Sequence, residues 1–173
     1  MVNYFKKIAV AIQAMEAHAM KTLIIYFSAE RGTTAGVAKD AAEALGAELY
    51  AITPEKPYTA ADLNYRSPLA RCNREFFAKK DVPTVGRIEN FADYDRVLIG
   101  FPIWYGCAPL VVSSFCKGYD WTGKTVAAFA TSGGSGIGKT ADKLRPFLSG
   151  ADLRGAKLVH SGAEVTEWAK EAQ

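Results

Sequence analysis

Residues 22–34 read TLIIYFSAERGTT and set the pattern that the rest of the chain repeats. The first part, residues 22–27, is an uninterrupted apolar and β-rich run, which is typical of a strand buried on both faces. The second part carries hydroxyl side chains and a glycine and leads into an alanine-rich helix, expected at residues 34–45 and closed by Gly46. A buried strand joined directly to a helix predicts a parallel sheet with crossover helices.

Beyond this stretch, strand and helix patterns alternate to the C-terminus. We expect further strands at residues 48–52, 96–101, 125–130 and 157–160, a loop at residues 53–66, and helices at residues 69–80, 110–117, 137–148 and 164–172. Five strands separated by helices predict an α/β fold, a three-layer sandwich of one parallel sheet with helices on both faces.

Length and composition narrow the class of protein. The 173 residues suit one domain, and a net charge of +3 is too weak to indicate a nucleic-acid binder. Three cysteines without a C-x-x-C pair predict neither a disulfide framework nor a zinc site, and they favour the cytoplasm. No apolar run approaches the ~20 residues that span a bilayer, so we expect no membrane partner.

We expect one domain at residues 20–173, preceded by an extension at residues 1–19. The extension contains two lysines, a short apolar stretch and the sequence Ala17-His18-Ala19. These features are compatible with an amphipathic helix, with a disordered segment upstream of Met20, or with a secretory signal.

The loops that follow the strands are the candidate binding elements, because ligands of open parallel sheets bind beyond the carboxyl ends of the strands. The first such loop contains Ser28, Gly32, Thr33 and Thr34 and opens a helix. Hydroxyls and the free amides of a helix start predict a phosphate cradle. The alternative is a well-capped helix with Thr33 or Thr34 as the N-cap.

The second loop, residues 100–109, places Trp104 and Tyr105 between prolines and glycines. A tryptophan in a rigid loop beside a ligand crevice is suited to cover a flat ring, and the alternative is that Trp104 packs under the next helix. Cys107 lies in the same loop, and without a partner cysteine nearby it is better interpreted as a packing residue than as a redox thiol.

The third loop, residues 131–140, contains four glycines that let the backbone approach a ligand. Residues 133–140 also match the triphosphate-binding pattern G-x-x-x-x-G-K-[S/T]. A triphosphate site requires an acidic residue at the end of a neighbouring strand to hold magnesium, and the buried strands here end without one. Nucleotide triphosphate binding at Gly133–Thr140 therefore remains a minor alternative.

The stretches LIIYFSAERGTT, VLIGFPIWYGCAP and FATSGGSGIGKT resemble those of the flavodoxin family, in the family's order and at its spacing. The resemblance implies the flavodoxin-like fold with strand order 2-1-3-4-5 and FMN as the cofactor. The stretch YTAADLNYRSPLARCNREFF at residues 58–77 is similar to the branch of small bacterial flavodoxins and flavodoxin-like NAD(P)H oxidoreductases.

The resemblance also implies the cofactor-binding residues, with no catalytic side chain and no metal. The phosphate loop would contain Ser28, Arg31, Gly32, Thr33 and Thr34, and in it Arg31 is an insertion relative to the family's form S-x-T-G-N-T. The two other loops would contribute Pro102, Ile103, Trp104, Tyr105, Gly106, Ser132, Gly133, Gly134, Ser135 and Gly136.

Two functions follow from the resemblance. One is an electron carrier that docks on redox partner proteins, and the other is an oxidoreductase that passes hydride from NAD(P)H through FMN to a quinone or similar acceptor. The basic helix after Tyr65 favours the anionic dinucleotide, since carriers commonly use an acidic face. A monomer and a homodimer both fit, whereas a domain without cofactor would leave all three loops unexplained.

Overall fold

The computed structural model describes residues 20–29 and 32–172. The expected extension at residues 1–19 and the Arg31 position lie outside the described residues. The strands are β1 (Thr22–Tyr26), β2 (Glu48–Ala51), β3 (Thr53–Pro54), β4 (Thr84–Val85), β5 (Arg96–Pro102), β6 (Thr125–Thr131) and β7 (Asp152–Leu158). The α-helices are α1 (Thr33–Leu45), α2 (Arg71–Ala78), α3 (Leu110–Cys116), α4 (Thr140–Leu144) and α5 (Gly162–Glu171).

Five of these strands form one parallel sheet in the order β2-β1-β5-β6-β7. When only these five strands are counted, this order confirms the predicted 2-1-3-4-5. Successive side chains of a strand point to opposite faces, and Leu23 and Ile25 accordingly join one apolar cluster while Ile24 joins the other. The sheet is therefore buried on both faces, as the continuous apolar runs predict.

Helices α1 and α5 cover one face of the sheet. Ala38 and Ala41 of α1 pack with Val165 and Ala169 of α5 in the same buried cluster. Small residues let the helices approach closely, and a Cβ built on Gly162 would lie 2.5 Å from Asp40 Cβ. Gly46 ends α1 with a φ of 59°, which confirms the predicted C-cap.

Helices α3 and α4 cover the other face. Val111, Phe115 and Leu144 are buried there against β5 and β6. Trp121 is also buried, and its indole Nε1 donates to the Cys116 carbonyl at 2.8 Å. This bond gives a partner to a carbonyl at the C-terminal end of α3 that has none within the helix.

The predicted last strand was wrong in position. The sequence indicated residues 157–160, whereas β7 runs from Asp152 to Leu158 and His160 lies beyond its end. This strand is at the sheet edge, and Arg154 is exposed, so its residues alternate in polarity instead of forming an apolar run.

Two further expectations need correction. The helix predicted at residues 137–148 is shorter, because α4 covers only Thr140–Leu144 and a 3-10 turn follows at Arg145–Phe147. Pro146 in that turn has no amide proton for an α-helical hydrogen bond. Residues 53–66 are not all loop, since β3 pairs antiparallel with β4.

Candidate functional site

The start of α1 forms one end of the site. Gly32 is the N-cap with a φ of 70°, and Ser28 Oγ accepts from the Ala35 amide at 3.2 Å. The expectation that Thr33 or Thr34 is the N-cap was therefore wrong. Thr34 is buried and its hydroxyl bonds to that of Thr131, whereas Thr33 is exposed. Because amides in the first turn of a helix lack intrahelical acceptors, this end favours an anion.

An aromatic turn, residues 104–107, follows β5. The Trp104 amide donates to the Cys107 carbonyl and the Cys107 amide donates to the Trp104 carbonyl, both at 3.0 Å. Tyr105 and Gly106 between them have φ values of 51° and 69°, the signature of a two-residue type I′ turn. Positive φ is unfavourable for tyrosine, so contacts of its side chain must hold it there.

Trp104 stands at the centre of the site rather than under a helix. Its half-buried ring meets Phe27 edge-on, with centroids 5.6 Å apart, and meets Tyr58 edge-on at 5.3 Å. These perpendicular contacts fix the orientation of the Trp104 ring.

The glycine-rich loop after β6 faces the aromatic turn. Its residues Gly133, Gly134 and Ser135 are exposed, and the Gly134 amide donates to Ser132 Oγ at 3.1 Å. No atom lies within 4 Å of a Cβ built on Gly133 or Gly134, so the backbone borders open space among the described residues. Such a loop presents amides to the polar edge of a ligand.

The triphosphate interpretation finds no support in this loop. Thr140 is fully buried and its hydroxyl donates to the Ile137 carbonyl. The hydroxyl that would contact magnesium in a triphosphate site is therefore turned into the protein. Gly133 and Gly134 of the motif border the cavities instead.

Two adjoining cavities of about 530 Å³ and about 570 Å³ connect these elements. The structure brings most of the sequence-predicted residues to their walls: Ser28, Gly32, Thr33, Thr34, Pro102, Ile103, Trp104, Tyr105, Ser132, Gly133, Gly134 and Ser135. Both cavities are lined by Trp104 and Ile103, so they form one continuous groove. Gly106 and Gly136 are not among the lining residues of either cavity.

The sequence analysis missed a fourth wall. Ala60, Leu63 and Tyr65 line the groove from the segment between β3 and α2, and Cys72 of α2 joins them. This segment has turns but no regular strand or helix, so no hydrophobic periodicity marks it. The sequence offered no specific signal for it, because Tyr65 is one of several large side chains in this stretch, with Tyr58 and Leu63.

The groove is lined by neutral groups. Among the described residues that line the two cavities, none is Asp, Glu, His, Lys or Arg. Burial, together with its contact to Cys72, raises the pKa of the Tyr105 hydroxyl, so it stays protonated at neutral pH. Burial also raises the pKa of the Cys107 thiol, against the opposing charge of Lys143, so this cysteine behaves as a packing residue.

Comparison with known proteins identifies the family and the fold. The sequence profile of the flavodoxin family matches residues 21–172. This chain belongs to the flavodoxin family. A protein assigned as a flavoprotein from Bacteroides eggerthii is 37% identical, with a TM-score of 0.81, over 88% of this chain and 97% of that one. A second such flavodoxin-like structure, from Bacteroides uniformis, is 39% identical, with a TM-score of 0.80, over 87% and 98%.

A flavoprotein from Lactobacillus acidophilus, solved in complex with FMN, is 25% identical to this flavodoxin-family chain, with a TM-score of 0.67 over 87% of this chain and 99% of that one. A comparison with curated proteins finds no match. Within residues 20–29 and 32–172, no helix is long and apolar enough to cross a membrane.

FMN is the cofactor of this flavodoxin-family protein. The groove fits it, since an elongated ligand with a phosphate and a flat ring needs an anion site at one end and aromatic walls at the other. The start of α1 supplies the anion site, and Trp104 and Tyr65 supply the aromatic walls. The open space at Gly133 and Gly134 leaves the polar edge of a ring within reach of the backbone.

Proposed function

We propose that this protein is an electron carrier that exchanges electrons with a redox partner at the mouth of the groove. The observation that supports the proposal is the neutral lining of the two cavities, which contains no carboxylate, imidazole or amine among the described residues. Among the described lining residues, the titratable side chains are those of Cys72, Tyr65 and Tyr105. This lining suits electron transfer through a flavin better than acid–base chemistry on a substrate. When bound, FMN supplies the redox chemistry, and the chain orients it and limits access to it.

Each part of the groove has a proposed role. Gly32, Thr33 and Thr34 would hold the phosphate at the start of α1, Trp104 would cover the ring, and residues 132–135 would face its polar edge. The proposed partner surface contains Tyr65, which lines both cavities and is 67% exposed, and Leu69, four positions along the chain and 80% exposed. Exposed apolar side chains next to a site indicate a surface for association.

An NAD(P)H-dependent oxidoreductase that acts on quinones or similar acceptors is the second candidate. Arg66, Arg74, Lys79 and Lys80 are exposed on or beside α2, which borders the groove through Cys72. Arg71 belongs to a different environment, because it pairs with Glu75 at 2.5 Å. These four exposed cationic side chains form no salt bridge with another described residue, and they would attract an anionic dinucleotide to this side of the protein.

Anaerobic mixing of the FMN-loaded protein with NADPH or NADH separates the two candidates. A carrier keeps its flavin absorption with either nucleotide but loses it with dithionite, and then regains it on mixing with an oxidised redox protein. Rapid loss of the absorption with NADPH, slowed in the variant Arg66→Ala/Arg74→Ala, would contradict the carrier and establish the oxidoreductase. We place the activity in a reducing compartment such as the cytoplasm, since Cys72, Cys107 and Cys116 are all free.

A further inference from the structure

The buried side chain of Asn73 joins two walls of the groove. Asn73 lies in the first turn of α2 and is 6% exposed. Its Nδ2 donates to the Tyr65 carbonyl at 2.9 Å and to the Ser67 carbonyl at 2.7 Å, and its Oδ1 accepts from the Tyr105 hydroxyl. Carbonyls only accept hydrogen bonds, so the two backbone contacts fix which side of the amide bears the nitrogen.

Among the described side chains, only Asn73 forms hydrogen bonds to both of these walls, although the Cys72 amide also donates to the Asp62 carbonyl at 3.0 Å. The wall segment, residues 60–67, contributes Leu63 and Tyr65 to both cavities and is built of turns. The aromatic turn lies opposite, with Tyr105 at a φ of 51°. The Tyr105 ring stacks on Phe76 of α2 with centroids 4.4 Å apart, so α2 supports this residue by both ring and hydroxyl.

We propose that Asn73 and the Tyr105 hydroxyl are positioning residues for the ring half of the FMN site. Asn73 is not among the residues that line either cavity, so it acts through its partners. It holds the Tyr65 backbone on one side and the aromatic turn on the other, and thereby fixes the width of the slot for the flavin ring. The inference rests on FMN as the cofactor and is independent of whether the electrons come from a protein or from NAD(P)H.

A separate network attaches the preceding residues to α2. Tyr58 donates to Glu75 Oε2 at 2.5 Å, and Arg71 donates to the Lys56 carbonyl at 2.7 Å while lying 4.2 Å from the Tyr58 ring centroid. Loss of the Asn73 contacts therefore leaves the chain docked at residues 56–58. The Cys72 amide also still donates to the Asp62 carbonyl at 3.0 Å, so the expected change is a local shift of Tyr65 and of the aromatic turn.

The test compares the dissociation constants of FMN and riboflavin for three variants of the full chain. Asn73→Asp keeps an acceptor for Tyr105 but loses both donors to the carbonyls, and Tyr105→Phe loses only the hydroxyl. Asn64→Ala is the matched control, because Asn64 Oδ1 accepts from the Arg66 amide at 3.3 Å within the same segment and does not contact the aromatic turn. Thermal unfolding of each apoprotein sets an assay temperature at which every variant is folded.

We expect Tyr105→Phe to weaken the binding of both flavins by about five- to tenfold, the effect of one lost hydrogen bond. Asn73→Asp loses two hydrogen bonds, so we expect it to weaken the binding of both flavins by at least as much. The ratio of FMN to riboflavin affinity stays unchanged, since the phosphate end is untouched, and Asn64→Ala binds both flavins like the wild type. The double variant binds as the weaker single variant does, because both changes break one chain of contacts.

Three results would overturn the proposal: unchanged affinity in Tyr105→Phe, loss of FMN affinity with riboflavin affinity retained, or equal loss in Asn64→Ala. Tyr105→Phe removes a single oxygen atom, so it decides the question even when Asn73→Asp does not fold. None of these results depends on which reductant the protein uses, so failure here is distinct from failure of the electron-carrier proposal.

Discussion

The Thr34 hydroxyl lies 2.8 Å from the Thr131 hydroxyl, although 97 positions separate the two residues in the chain. Both side chains are buried, and they join the first turn of α1 to the last residue of β6. The predicted phosphate loop ends at Thr34, and the glycine-rich loop begins at Thr131. One buried contact therefore sets the relative position of two walls of the FMN groove.

Removal of one of these two hydroxyls is expected to lower the free energy of unfolding more than removal of both. Thr34→Val or Thr131→Val leaves the other hydroxyl buried without its partner, at a cost of about 1–3 kcal/mol in the free energy of unfolding. The double variant replaces both with apolar groups of similar shape and loses less than either single variant. Urea unfolding of the four proteins measures the coupling, and additive losses would show that the two hydroxyls do not interact.

Sequence patterns predicted the central strands and the edge strand β2, and they misplaced the other edge strand, β7. β1, β5 and β6 are buried on both faces, so their residues form apolar runs that indicate strands directly. β7 lies at the sheet edge with Arg154 exposed, and its pattern resembles that of a loop.

The sequence predicted only those residues of the candidate site that directly follow a buried strand in the chain. Glycines and hydroxyls next to buried strands mark the three predicted loops. Tyr65 reaches the groove from a turn-rich segment that Asn73 of α2 holds by a hydrogen bond, and no spacing in the sequence signals this contact. The identity of the N-cap was missed for a related reason, since Gly32 takes a positive φ that only the three-dimensional turn reveals.

Two glycines on facing helices are expected to respond oppositely to alanine. A Cβ on Gly162 would lie 2.5 Å from Asp40 Cβ and 2.8 Å from the Ala41 backbone nitrogen, so Gly162→Ala forces α1 and α5 apart. Gly36, within α1, has no described atom within 4 Å of the same position, so Gly36→Ala gains about 0.5–1 kcal/mol of stability. Thermal unfolding compares the two, and stabilisation by Gly162→Ala would contradict the close helix packing.

A second pair of glycine variants distinguishes an effect on FMN binding from an effect on stability. Gly134 has a φ of 152° at the groove and Gly123 a φ of 75° away from it, and both have open space at Cβ among the described residues. Alanine strains the backbone at either position, by about 1–2 kcal/mol. We expect Gly134→Ala to weaken FMN binding and Gly123→Ala to lower stability with unchanged affinity. Equal affinities of the two variants for FMN would exclude a role of the glycine-rich loop in the site.

Tyr94 is expected to make the protein sensitive to alkaline pH. Burial and its hydrogen bond to Glu48 raise the pKa of Tyr94 from 10 to about 12. The unfolded chain therefore releases this proton first as the pH rises, so the stability from neutral Tyr94 is fully present below pH 10 and is lost as the pH approaches 12. Urea midpoints measured from about pH 8 to about pH 11 should fall less steeply in Tyr94→Phe than in the wild type. If the urea midpoints of the two proteins fall equally with pH, groups other than Tyr94 cause the loss of stability at alkaline pH.

The equilibrium affinity of the apoprotein for FMN against riboflavin tests most directly whether one FMN spans the whole groove. A phosphate at the start of α1 should make FMN bind at least about tenfold more tightly than riboflavin, at one molecule per chain. Added salt should narrow that difference. Equal affinities for FMN and riboflavin would contradict the placement of the phosphate at Gly32–Thr34 and with it the account of the groove.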